Sequence, residues 1–140
     1  MADVVLDTNI ILDYLCPTRE KHLDAVDVLE QLRGSDVYEP VILAASIKDA
    51  YYILCRHYGK RREELVRDRL DAFRQIMAVA ELTNEVLERA FSCDEADLED
   101  GVVRATAELR SAAAIITRGQ TAYARSSVPS MAAREFLQRL

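Results

Sequence analysis

Apolar residues in this chain occur in two patterns, and their alternation is the first constraint on the fold. Short, solid apolar runs occur at Val4-Val5-Leu6, Val37-Tyr38, Met77-Ala78-Val79-Ala80-Glu81-Leu82 and Ala114-Ile115-Ile116-Thr117. Runs apolar on both faces are what strands buried in a parallel sheet look like. Between them lie stretches with helical spacing. One runs from Thr8 to about Cys16, where Pro17 stops it. A second covers 21–33, with Leu23, Val26, Val28, Leu29 and Leu32 recurring and Gly34 closing it. Further helices are predicted at 43–58 with Gly59 as cap, at 62–76, from a Thr83 cap to about Phe91, and at 98–112. Ser130 is predicted to cap a last helix reaching Leu140. No repeat or linker interrupts the chain, so residues 1–140 read as one domain. Strands alternating with helices predict an α/β fold, a short parallel sheet flanked by helices.

In such sheets ligands bind at the carboxyl ends of the strands. Asp7 ends the first strand, Thr117 ends the strand at 114–117, and Asp97 and Asp100 open the helix leading into that strand. Asp7 has two readings, a crevice carboxylate or a cap for the helix starting at Thr8. Asp49 interrupts an apolar helical stretch, with Ser46 one turn earlier on the same face. A solvated helix position would also explain it. Asp94 and Glu95 suit a first helical turn by dipole alone. Asp97 reads as cap, ligand or both. Asp100 precedes Gly101-Val102-Val103 and reads as inward-facing, whereas Glu99 reads as facing solvent. Carboxylates gathered in one crevice repel unless protonated or neutralised by a cation. Oxygen ligands without a His or Cys cluster suit Mg2+ or Mn2+. Such a site can activate water and steady charge on a phosphate.

Charge narrows the choice of partner. The net charge of −6 and pI of about 5.0 exclude a protein that grips nucleic acid by bulk positive charge. They leave room for an acidic metal site, since bound cations reverse the local field. No apolar run is long enough to span a bilayer, and the N-terminus has no secretory pattern. Cys16, Cys55 and Cys93 form no ligand spacing or disulfide framework and read as reduced thiols. A cytoplasmic protein without a membrane partner is the expectation. His22 and His57 read as surface residues. Arg56, His57, Lys60, Arg61 and Arg62 form a basic run that is either a phosphate-contacting patch or a helix end suited to the dipole. Arg104, Arg118 and Arg125 are open in the same way, with Arg118 nearest the crevice. Tyr51 and Tyr52 read as core or as a dimer surface, with core packing the default. A phosphotransfer role for Asp7 is disfavoured, because Asn9 stands where a second Asp would be needed and Arg118, not Lys, follows the strand at 114–117.

Leu6-Asp7-Thr8-Asn9-Ile10 resembles the opening of PIN domains, the nucleases that include VapC-type toxins. Ala45 to Leu54 resembles the segment in which that family places its second acid. Asp97-Leu98-Glu99-Asp100-Gly101-Val102 resembles a block usually written D-F-E-D-A-L. Ile115-Ile116-Thr117-Arg118 and Val128-Pro129-Ser130 through Glu135-Phe136-Leu137 resemble the closing segments. The resemblance implies a three-layer α/β/α fold and binding of Mg2+ or Mn2+ by Asp7, Asp49 and Asp100, with Asp97 close by. It implies that Asn9 orients Asp7 or a water and that Thr117 lines the crevice. It also implies cleavage of RNA, commonly tRNA or rRNA, inhibition by an antitoxin, and homodimers. One departure stands out. The family usually has T-R-N, two residues, then D-F. Here Gly119 stands for the Asn and Ala122 for the acid, so a one-metal site or a weakened, binding-only module is the alternative.

Overall fold

The computed structural model describes residues 1–119 and 121–140. Strand β1 (Ala2–Leu6) leads into helix α1 (Thr8–Leu15), and α2 (His22–Arg33) into β2 (Tyr38–Leu43). Then follow α3 (Ala44–Tyr58), a 3-10 turn (Lys60–Arg62), α4 (Glu63–Gln75), β3 (Ala78–Ala80), α5 (Asn84–Ser92) and α6 (Leu98–Leu109). Strands β4 (Ala114–Ile116) and β5 (Ser130–Met131) and helix α7 (Ala133–Leu137) complete the chain. The five strands form one sheet in the order β3-β2-β1-β4-β5, and every pairing is parallel.

Successive side chains of a strand point to opposite faces, and this separates two cores. Val4, Leu6, Ile42, Ala114 and Ile116 pack on one face against α1 to α4 and α7. Val5, Val41, Leu43 and Ile115 face the other way, onto Val103 and Ala107 of α6 and Tyr123 and Val128 of the following loop. Helix α5 reaches the domain by packing on α6 through Val86, Ala90 and Ala105. The α/β fold with a parallel sheet covered on both faces is therefore as the apolar runs predict.

Three local expectations give way. The strand read at Val37-Tyr38 continues to Leu43, through Pro40. Pro40 is tolerated because pairing with β3 begins only at Val41. Ser130 does not cap a helix. It pairs with Ile115 in β5, because the outer edge of β4 offers Ile115 N–H and Thr117 N–H to the carbonyls of Pro129 and Met131 at 2.9 and 3.0 Å. Sheet pairing consumes those residues, so the last helix is Ala133–Leu137. Leu23 is 70% exposed, and Ala25, Val28, Leu29 and Leu32 form the buried stripe of α2 instead.

The strand order sets the position of the site. From β1 the chain moves outward through β2 to β3, then returns to the far side of β1 for β4 and β5. The order thus reverses between β1 and β4, and a crevice opens at their carboxyl ends, where Asp7 and Thr117 lie.

Candidate active site

Asp7 is both cap and crevice residue. Its backbone is extended, and Oδ1 accepts the N–H of Thr8 at 2.7 Å, capping α1. Oδ2 accepts two hydroxyls, from Thr117 at 2.9 Å and from Tyr123 at 2.7 Å. A carboxylate only 9% exposed needs such donors. Thr8 donates its hydroxyl to Ser46 Oγ at 2.9 Å, tying the start of α1 to α3. Ser46 is buried, and Asp49, one turn further along α3, is half-buried. Asp7, Asn9, Ser46, Asp49, Glu99 and Asp100 line one cleft together with the apolar side chains of Leu43, Tyr52, Ile53 and Leu82.

These acids sense one another. Burial, then the charges of Asp7 and Asp97, push the Asp100 carboxyl up to about 6, against the opposing effect of the Tyr123 hydroxyl. The charge of Asp49, with burial and then Asp97 and Asp7, pushes Glu99 up as well. Glu99 is exposed, yet it lines the cleft and does not turn away from it. Asp97 caps α6, its Oδ1 accepting the N–H groups of Glu99 at 2.7 Å and Asp100 at 3.3 Å. It stands outside the cleft lining and reaches the site through its charge.

Tyr123 is the site residue that sequence reasoning missed. It is 1% exposed, and its hydroxyl lies between Asp7 Oδ2 and, at 3.4 Å, Asp100 Oδ1. Burial and the Asp7 carboxylate push its own pKa upward, so the phenol stays a donor. The residue sits at φ 67°, a left-handed conformation a tyrosine adopts at some cost. Its loop is fastened to α6. Tyr123 N–H donates to Glu95 at 3.4 Å, and Arg104 binds Asp94, Glu95, Glu108 and the Arg125 carbonyl. Arg104, 12% exposed and so engaged, is a pin for the loop and not a free cation. The signal lay one residue past Ala122. Where the family pattern has Phe, a Tyr adds a hydroxyl to the same position.

The basic candidates are dispersed. The Arg56 guanidinium lies 5.8 Å above the ring of Tyr52, beside the cleft. Lys60, Arg61 and Arg62 are exposed in the 3-10 turn. Arg118 approaches the buried Asp13, Nε to Oδ2 at 3.5 Å. His57 is exposed, but His22 is half-buried, its Nδ1–H donating to the carbonyl of Asp13 at 2.8 Å. Tyr51 is half-buried and donates to Glu63. Tyr52 is 62% exposed and forms cleft wall, not core.

Among the described residues no three acidic, imidazole or thiol side chains stand close enough together to grip one ion as they are. The cleft still has the chemistry of a hard-cation site. Its charged donors are all carboxylates. Burial and then the neighbouring acids hold back the ionisation of Asp100, the charge of Asp49 and then burial that of Glu99, and a cation in the cleft would favour the ionised form of both.

A parallel sheet with a carboxylate-lined cleft at its point of reversal is the class that fold and geometry define. A PIN domain family model matches residues 3–120. The chain belongs to the PIN domain family. No curated protein matches it by sequence. Similar solved structures include FitAcB from Neisseria gonorrhoeae, with TM-score 0.74, 16% identity and coverage of 94% of this chain and 98% of that one. VapBC2 from Rickettsia felis, bound to a DNA fragment from its promoter, gives 0.70 and 13%, covering 93% and 98%. VapC20 from Mycobacterium tuberculosis, described as a Sarcin-Ricin loop cleaving toxin, gives 0.69 and 14%, covering 87% and 94%. At these identities the likeness is one of fold. Among the described residues no helix is long and apolar enough to cross a membrane.

Proposed function

We propose that this protein is a metal-dependent endoribonuclease and the toxin of a toxin–antitoxin pair. The observation that carries the reading is the meeting of Asp7, Asp49 and Asp100, from three separate elements, on one cleft at the reversal point of the sheet. Membership of the PIN family and the likeness to VapC20, FitAcB and VapBC2 support it. In this reading Asp7, Asp49 and Asp100 hold Mg2+ or Mn2+, with Asp97 adding negative charge from the helix cap. When bound, the ion supplies Lewis-acid stabilisation to an RNA phosphodiester under attack by water. The chain's own part is positioning. Thr117 and Tyr123 fix Oδ2 of Asp7, while the Thr8 N–H fixes Oδ1. Asn9 and Ser46 add neutral polar groups to the lining, and Tyr52, Ile53 and Leu82 add apolar surface to it. A cytoplasmic setting, a homodimer and a cognate antitoxin belong to the same proposal.

Asp7→Asn and Asp100→Asn each remove a ligand charge with little change of shape. Both are expected to abolish metal-dependent cleavage of a tRNA and rRNA pool. Parental cleavage by either variant, in preparations free of contaminating nuclease, would refute the assignment. A second reading, a PIN-fold binding module with weakened turnover, is favoured by Ala122 and by the Tyr123 hydroxyl bridging Asp7 and Asp100. Calorimetric titration with Mn2+ separates the two. Absence of binding at millimolar metal, together with absence of cleavage, selects the module.

A further inference from the structure

Asp13 is 0% exposed and plays no part in the chemistry above. A buried carboxylate is costly unless cations and donors meet it. Two arginines from distant parts of the chain do so. Arg19, in the turn after α1, donates from Nε to Oδ1 at 2.8 Å. Arg118, just past β4, brings Nε to 3.5 Å from Oδ2, an oxygen that has no hydrogen-bond partner of its own among the described residues. Both guanidiniums meet Asp13 through Nε, and their side chains remain 28% and 36% exposed.

The position of this pair points to a use. Arg19 Nη2 lies 3.5 Å from Oδ1 of Asn9, a cleft-lining residue. Arg118 adjoins Thr117, which holds Asp7. The guanidiniums therefore flank the carboxylate cleft. One buried carboxylate shared by two arginines leaves a net positive charge at that margin, in a chain whose overall charge is −6. A polyanion approaching an acidic cleft needs such a local cation pair. The planar guanidinium fork, held through one edge, offers its remaining N–H groups to a phosphate.

We propose that Asp13 is a positioning residue that holds Arg19 and Arg118 as a clamp for an RNA backbone phosphate flanking the cleaved one. The inference rests on the ribonuclease reading but is separable from it. The test is fluorescence anisotropy with a short labelled single-stranded RNA of mixed sequence, in Mg2+, on the Asp100→Asn background so that the RNA stays intact. Arg19→Ala and Arg118→Ala are each expected to weaken binding about tenfold, the loss of one charge-assisted contact. Each is also expected to lower the slope of log affinity against log salt by about one. Asp13→Asn is expected to weaken binding when both arginines are present and to cost nothing further on the Arg19→Ala/Arg118→Ala background. A purely structural Asp13 would cost the same on both backgrounds.

Should Asp13→Asn fail to fold, Arg19→Lys and Arg118→Lys decide the matter. Lysine keeps the charge but loses the Nε–H that Asp13 orients, so affinity falls while the salt slope stays. Arginine-to-alanine variants with parental affinity and slope overturn the clamp, and lysine variants that bind like the parent overturn the positioning role. A parent that neither binds nor cleaves any RNA overturns the ribonuclease reading and the clamp with it. A parent that cleaves while the arginine variants bind unchanged overturns the clamp alone.

Discussion

Replacing Tyr123 by Phe removes one oxygen from the site and leaves the ring in place. The hydroxyl donates to Asp7 Oδ2 at 2.7 Å inside a residue that is 1% exposed, so solvent does not take over the bond. A hydrogen bond to a charged group contributes about 1.5–3 kcal/mol. Asp7 keeps the Thr8 N–H and the Thr117 hydroxyl, which limits the damage. It also loses a donor that lies between it and Asp100, so the two carboxylates repel more freely. A net loss of about 2 kcal/mol follows for the metal-free protein at neutral pH. For a chain of this size that lowers Tm by about 6 °C. Urea unfolding followed by circular dichroism in EDTA measures it, with the midpoint falling and the m-value unchanged. A variant with the parental midpoint would refute the reasoning, because the hydroxyl would then contribute nothing to holding Asp7.

Three further predictions test other parts of the site. Asp100 binds its proton more tightly in the folded chain, at about 6, than in the unfolded chain, at about 3.9. Its contribution to stability is therefore full at low pH and is lost as pH rises through about 6. Metal-free Asp100→Asn should thus be more stable than the parent at neutral pH and no more stable near pH ~4; a less stable variant at neutral pH contradicts this. Arg104→Ala should cost about 3 kcal/mol, since it leaves the Glu95 carboxylate, 9% exposed, without its cation and leaves Glu108, 11% exposed, with Arg89 alone. Hydrogen exchange should show the loop around Tyr123 opening first, and parental protection there would sink the idea of a pin. Mn2+ should raise the Tm of the parent by mass action and leave Asp7→Asn unmoved, and an equal rise in both would place the ion elsewhere.

The elements themselves were legible in the chain because their cause is local. Solid apolar runs at Val4-Val5-Leu6 and Ala114-Ile115-Ile116 could only be strands covered on both faces, and Gly34 and Gly59 ended helices where their spacing ended. Asp7 and Asp100 could be found as strand-end and inward-facing acids by the same local logic. Ser130 could not be placed, because its strand exists only through pairing with β4, a partner distant in sequence. Tyr52 was misplaced and the cleft position of the exposed Glu99 went unread for a similar reason, since periodicity on a helix identifies faces but not which face borders an open cleft.

Sequence by itself thus determined an α/β chain, its carboxylates and the family pattern they follow. Tertiary structure alone decided which groups hold those carboxylates. Tyr123 reaches Asp7 across 116 positions, and Arg118 meets Asp13 only after β4 has been laid beside β1. Contacts of that kind have no local signature. They are set by the parallel register and the reversal of strand order, which bring segments distant in sequence together at the carboxyl ends of β1 and β4. Burial then makes each such contact obligatory, because a carboxylate removed from water must find its donors wherever the fold supplies them.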